Sequence, residues 1–506
     1  AVERRLHGGE PRGGAPAPRE QEVGVDDDRE ARAAPRFPGH DQRPRAGPSA
    51  ALAVRIPTVL RGRRVGASRA ACQGDEAQGG ARRGLSAART GAPYSRRTAN
   101  GGSVMQAPLE GIRVVEIAHY VAVPAAGALL ADLGADVIKV ELPPKGEIYR
   151  RGRPKFSGYA SEFPEGPGFH LDNRGKRSLI LDLTDPEARG ALLRLVDGAD
   201  VVTTNLLPGR RLKYGLDHES LLARKPSLVV AAVNGYGGGG EEADRPAFDY
   251  AAYWARTGMM DLMRDEGVPP SMLRPGVGDH AASSNLVIGI LAALRMRDAT
   301  GQGRYVEVSL LQTGLYILGC DAAMALVTRE PVKRHDRRSA MNPLWNSYEV
   351  AGGRWLMLVM IDPAPYWPRL AAAVGRPELV DDPRFAEPFT RAQNAPALIA
   401  ELEREFARRT LDEWRPRLDA AGLIWSPVQR LEEVLDDPQA RAMGYFRSLE
   451  HPSHGPFETL APPFSIAGVP LGATRTCSPP DADAEAILRE AGLDESEIAK
   501  LRRSRG

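Results

Sequence analysis

The sequence predicts an α/β protein: a large domain on a mostly parallel sheet, followed by a smaller α+β domain. Three observations predict it. Short apolar runs alternate with longer amphipathic segments between residues 112 and 233, the pattern of repeated βαβ units. Between residues 336 and 435 the pattern changes to a hairpin followed by helices. Finally, 506 residues with 42% hydrophobic and 26% charged side chains supply chain for two or three domains with a sizeable core.

The elements follow in order. Residues 112–117 read as a strand and 124–133 as a helix, with Pro124 in the first turn where its missing N–H is harmless. Residues 137–141 and 178–183 are the next strands. Asp185-Pro186-Glu187 opens a helix with a capping acid and a first-turn proline, and Leu192, Leu195 and Val196 share one face of it. Residues 201–202 and 228–233 are further strands. Residues 347–350 and 355–361 flank a glycine-containing turn and predict an antiparallel hairpin. Leu398, Leu402 and Phe406 recur at four-residue spacing in a helix. Thr410 and Glu413 have capping-box spacing and open another, with Trp414 and Leu418 facing inward. Asp494-Glu495-Ser496-Glu497 starts a last short helix.

Composition bounds the function. Residues 1–104 hold 19 Arg, no Lys and 11 Asp plus Glu, a net charge of +8, without an apolar period. Such a segment is expected to be disordered or to be an extension upstream of a natural start at Met105. The rest carries 48 basic and 54 acidic side chains, so no global charge favours a nucleic-acid partner. Cys72, Cys320 and Cys477 lie too far apart for a disulfide scaffold. The longest apolar run, 286–294, falls short of a membrane span. The expectation is a soluble cytoplasmic protein with no membrane partner.

Several motifs carry possible chemistry. Gly235-Tyr236-Gly237-Gly238-Gly239-Gly240 matches the dinucleotide spacing, but the Glu241, Glu242 and Asp244 that follow would repel a pyrophosphate. His451 and His454 flank a proline with no evident third ligand, so no metal is expected. Cys320 stands among apolar residues and reads as a buried, inert thiol. Arg274-Pro275-Gly276-Val277-Gly278-Asp279-His280 runs into an apolar helix. Asp279 reads as a helix N-cap, or as a carboxylate kept ionised by the helix terminus and able to attack an activated acyl group.

Five ordered motifs over about 240 residues resemble the class III CoA-transferases, which include formyl-CoA, carnitine and bile-acid CoA-transferases and acyl-CoA racemases. They are the opening strand from Pro108 to Glu116, the run from Leu130 to Glu141, Asn173-Arg174-Gly175-Lys176, Asn205-Leu206-Leu207-Pro208-Gly209, and Gly278-Asp279 with the helix after it. Asn342-Pro343-Leu344 then opens the smaller domain. The resemblance implies a Rossmann-like large domain closed by the C-terminal segment, and an intertwined homodimer. The resulting division is 1–104, a large CoA-binding domain at 105–305, a linker at 306–335, a small domain at 336–435, and a return segment at 436–506.

The resemblance also implies residue roles. Asp279 matches the nucleophile, which forms an aspartyl anhydride and then an aspartyl-CoA thioester. Ala122, Lys139, Leu181, Asn205 and Lys213 match CoA-binding positions, Lys213 replacing an arginine. No cofactor is expected to be tightly bound; CoA enters as the acyl-CoA substrate, and a carboxylic acid accepts it. Departures are Val121 for a glutamine that faces the nucleophile and Leu142 for an arginine. The segment 248–258 is expected to shape the acyl pocket, with Tyr253 and Trp254 as apolar walls or as packing. The alternatives are an α-methylacyl-CoA racemase and a non-catalytic CoA-binding dimer. Phe248 stands where racemases carry a histidine, and phenylalanine moves no proton; His280, next to Asp279, is a candidate substitute but is expected on the wrong side of the α-carbon.

Overall fold

A computed structural model describes residues 107–151 and 163–503. The segment 1–104, Met105 and Cys72 lie outside the described residues. Six strands form one sheet: β1 (Arg113–Ile117), β2 (Asp136–Glu141), β3 (Arg177–Ile180), β4 (Val201–Thr204), β5 (Val229–Asn234) and β6 (Tyr305–Ser309). Their order is β3-β2-β1-β4-β5-β6, and every neighbouring pair is parallel. This is the dinucleotide-fold order, with its switch point between β1 and β4.

Side-chain alternation along each strand makes two cores. On β1, Val114 faces the layer holding the helices Ala122–Asp132 and Val277–Thr300. Val115 and Ile117 face the layer holding Pro186–Asp197 and His218–Arg224. The chain returns to this second layer at its C-terminal end, where Ile487, Leu488, Ile498 and Leu501 join the same core.

Local signals set the helix starts. Asp185 accepts from the Glu187 N–H, and the Thr410–Glu413 capping box is formed in both directions. The hairpin is β7 (Trp345–Val350) with β8 (Arg354–Val359), joined by a third strand, β9 (Trp425–Pro427). Leu398, Leu402, Phe406, Trp414 and Leu418 are all buried in the small domain's core. A further antiparallel pair, β10 (Phe446–His451) and β11 (Gly455–Leu460), lies in the return segment.

Four readings need correction or extension. Asp279 is not the N-cap. Gly276 holds that place with φ +76°, a left-handed conformation that favours glycine, and Asp279 falls in the first turn. Cys320 is exposed, not buried, because the helix Gly319–Thr328 has no buried residue. The segment 306–335 carries most of β6 and two helices, Leu310–Ile317 and Gly319–Thr328. The helix Val277–Thr300 is long and apolar enough to cross a membrane by length and composition alone. Counting unbroken runs missed it because polar residues interrupt the pattern; one stripe, including Ala282, Leu286, Ile290 and Leu294, packs into the core.

Candidate active site

At the C-terminal edge of the sheet lies a cavity of about 240 Å³. Ile117 and His119 line it from β1, Leu142 from β2, Leu181 from β3, and Leu206 and Arg210 from beyond β4. Strand ends beside a switch point are where α/β sheets take ligands. Asn205 clips this edge together. Its Nδ2 donates to the His119 carbonyl at 2.7 Å, and its Oδ1 accepts from the His119 N–H at 3.1 Å. His119 itself is pushed down to about 4 by burial, then by Lys139 and Arg210, so its imidazole is neutral at pH 7.

The other CoA-position residues fall in different environments. Leu181 follows β3 and lines the cavity, its N–H donating to the Glu141 carbonyl at 3.0 Å. Lys213 is exposed on the helix Pro208–Tyr214, its Nζ 5.9 Å from the Tyr214 ring centroid. Arg210, three residues earlier on that helix, reaches the cavity. Sequence reasoning passed over Arg210, although its i−3 spacing from Lys213 was the available signal. Ala122 is buried at the start of the helix Ala122–Asp132.

Lys139 is fully buried and faces inward. Its Nζ lies 2.9 Å from Glu116 and 2.5 Å from Glu147. Burial opposes its charge, but Glu116, Glu147 and Glu141 outweigh burial and hold its pKa above the usual lysine value. Lys176 reaches Glu116 from the other side and also donates to the carbonyls of Pro124 and Asp172 and to Asn173 Oδ1, at 2.8–2.9 Å. Gly127 makes room for this network. A Cβ there would sit 2.0 Å from Glu116 Oε2. The buried charges therefore brace the loop 118–121 and the helix Pro167–Asn173, the two elements that flank the glycine loop before Asp279.

Asp279 is partly buried. Burial, reinforced by the neighbouring Asp249, pushes its carboxyl up to about 7; His280 opposes this and Asp172 adds to it. Asp249 is itself raised by burial, despite amide hydrogen bonds from Gly278, Tyr250 and Gly276. The loop 118–121 links this carboxyl pair to the cavity. His119 lines the cavity, and Val121 Cγ1 would lie 3.9 Å from a Cβ at Gly276.

Around this pair, Tyr253 and Trp254 take the packing role. Both are buried in the turn Tyr250–Ala255, and Tyr253 lies so close under Gly278 that a Cβ there would come within 2.5 Å of its ring. Phe248 is exposed and sits edge-on to Tyr120, ring centroids 5.2 Å apart. His280 Nε2 is 2.9 Å from Asp172 Oδ1, and Nδ1 is 2.8 Å from the Gly276 carbonyl. With acceptors on both nitrogens, the ring has no lone pair free to take a proton.

Glu165, His170 and His451 also gather, with ligand-type atoms within 4.8 Å of one another. Hydrogen bonding gives this group another character. His451 Nδ1 accepts from the N–H groups of Ser453 and His454, so the proton sits on Nε2, which faces Glu165 at 3.3 Å. His170 Nε2 faces the Pro164 carbonyl at 3.0 Å and donates to it. A metal-bound imidazole needs the reverse, a bare nitrogen inward and a donor outward.

The sequence pattern of CoA-transferase family III matches residues 109–484. A cinnamoyl-CoA:phenyllactate CoA-transferase from Clostridium sporogenes is 31% identical over 405 residues, 78% of this chain and 96% of its own. A formyl-CoA:oxalate CoA-transferase from Streptomyces avermitilis is 28% identical over 79% of this chain and 99% of its own. The crystal structure of a CAIB/BAIF family protein from Brucella suis aligns with a TM-score of 0.67 at 30% identity, over 76% of this chain and 100% of that one. With the strand order and the switch-point cavity, these matches place the chain in CoA-transferase family III, as an enzyme.

Proposed function

We propose that this enzyme moves CoA from an acyl-CoA to a carboxylic acid by double displacement on Asp279. The observation that carries the reading is a partly buried carboxyl, poised at about 7, on a glycine loop that the loop 118–121 connects to the switch-point crevice. The ionised Asp279 attacks the thioester carbonyl, giving an aspartyl anhydride and CoA thiolate. The thiolate attacks the aspartyl carbon, releasing the first carboxylate and leaving an aspartyl-CoA thioester. The acceptor carboxylate attacks that thioester, forming a second anhydride and thiolate. Attack on the acceptor's acyl carbon yields the new acyl-CoA and frees Asp279.

Arg210 and Lys213 supply positive charge on one helix face for the nucleotide end of CoA, with Leu181 and Asn205 lining or bracing the same edge. The inward position of Lys139 gives it a bracing role. Tyr120, Val121 and Phe248 support an apolar acyl group, in line with the cinnamoyl-CoA relative. A second copy of the chain completes the assembly. The helices Leu310–Ile317 and Gly319–Thr328 expose Tyr316, Ile317, Met324, Leu326 and Val327, a run of apolar side chains suited to burial between copies.

Hydroxylamine trapping with cinnamoyl-CoA or succinyl-CoA tests the reading. An aspartyl hydroxamate on the Asp279 peptide, absent from Asp279→Ala, is the expected result. With a chiral 2-methylacyl-CoA in their place, exchange of the α-hydrogen for deuterium without trapping would instead show racemisation.

A further inference from the structure

We propose that Asp172 and His280 form a positioning pair whose imidazolium favours the charged form of the neighbouring Asp279 carboxylate and pins the glycine loop that carries it. The proposal rests on the reading of Asp279 as nucleophile.

Both ring nitrogens of His280 face oxygens that only accept: the Asp172 carboxylate at 2.9 Å and the Gly276 carbonyl at 2.8 Å. A neutral ring would turn a lone pair toward one of them, so the geometry calls for two N–H groups and a positive charge. Hydrogen bonding to Asp172 is the main cause raising the His280 pKa, against the opposing effect of burial. Asp172 is fixed in turn. Its side chain is 2% exposed, and Lys176 holds its main-chain carbonyl at 2.9 Å. The bond to Gly276 reaches the N-cap of the helix that begins two residues before Asp279.

The charge has a local purpose. Among the described residues, the acidic groups acting on Asp279 are Asp249, from the segment before Tyr250–Ala255, and Asp172, from the helix Pro167–Asn173. His280 is the opposing cation. The phenol of Tyr149, on the helix Ile148–Arg151, also feels Asp172, Glu147 and Asp279. Without the imidazolium, burial and two carboxylates would act on Asp279 unopposed. Because the His280 side chain is 46% exposed, solvent screens the coupling, and an effect near the low end of close charge pairs is expected.

The test follows carbodiimide labelling of Asp279 against pH in the full chain without CoA, read by peptide mass; only the protonated carboxyl reacts. This needs no turnover, so it stands apart from the trapping experiment. In His280→Gln the labelling midpoint should rise by about one pH unit. In Asp172→Asn it should rise less, because that change removes a repelling carboxylate together with the imidazolium. If His280→Gln fails to fold with Asp172 unpaired, the double variant Asp172→Asn/His280→Gln replaces the pair with neutral amides, and its midpoint should still rise. Unmoved midpoints in the folded variants would overturn the proposal and leave the pair a loop clasp. Shifted midpoints with no trapped adduct would uphold the pair and sink the transferase reading.

Discussion

Asp279 is a carboxyl whose environment conflicts with its charge. His280 favours the ionised form, while burial, Asp249 and Asp172 disfavour it and win, placing its pKa at about 7. Two consequences follow. If the ionised form is the nucleophile, kcat/KM should rise about tenfold per pH unit below 7 and flatten above it; a flat profile from pH 5 to 8 would contradict this. Stability moves the other way. An unfolded aspartate loses its proton near 3.8, the folded one near 7, so the native state binds the proton more tightly. The stabilisation is complete below the unfolded value and lost as pH rises through 7. Asp279→Asn does not titrate, so its Tm relative to the parent should climb between those two values and hold above them. Melting curves across the range check this, and a variant less stable than the parent at pH 8 would refute it. Its transfer activity should be abolished.

At the level of elements, the helix Ala122–Asp132 lies over a buried charge network, not a purely apolar floor. Gly127 is the contact point, since a Cβ there would overlap Glu116 Oε2 and crowd Lys176. Gly127→Ala replaces glycine with the better helix former, which alone would stabilise. The overlap dominates, because the carboxylate is held by two lysines and has nowhere to move. A loss of about 1–3 kcal/mol is expected, seen as a lower urea midpoint at unchanged slope. A neutral or stabilising result would show that the network can shift. The same floor explains why Lys139 is needed although it faces away from solvent. Removing one partner of a buried ion network leaves an uncompensated charge.

For the molecule as a whole, the two cores flanking the sheet leave the helices Leu310–Ile317 and Gly319–Thr328 with an apolar face turned outward. The helix Val277–Thr300 adds exposed Ile288 and Leu291. These faces support a homodimer, in which they would be covered. Light scattering at low micromolar concentration should give twice the chain mass of 54.7 kDa. Replacing Tyr316 and Val327 with aspartate should lower the apparent mass. A parent that runs as a stable monomer would remove the proposal.

The sequence by itself determined what is written over a few neighbouring residues. Short apolar runs located five of the six strands of the parallel sheet, and a capping acid before Pro186 and the Thr410–Glu413 box located helix starts, because hydrogen bonds at helix ends and short stretches of buried strand are local. Ordered motifs identified the family and singled out Asp279. Tertiary structure alone decided the partners. Asp172 meets His280 across 108 positions, and Lys176 meets Glu116 across 60. Tertiary structure also turned Lys139 inward, brought Arg210 to the cavity, exposed Cys320 and gave Gly276 the cap that residue type alone assigns to Asp279. No local period encodes these outcomes. They depend on which elements the sheet order brings side by side, and on where that packing leaves charge buried or an apolar face bare.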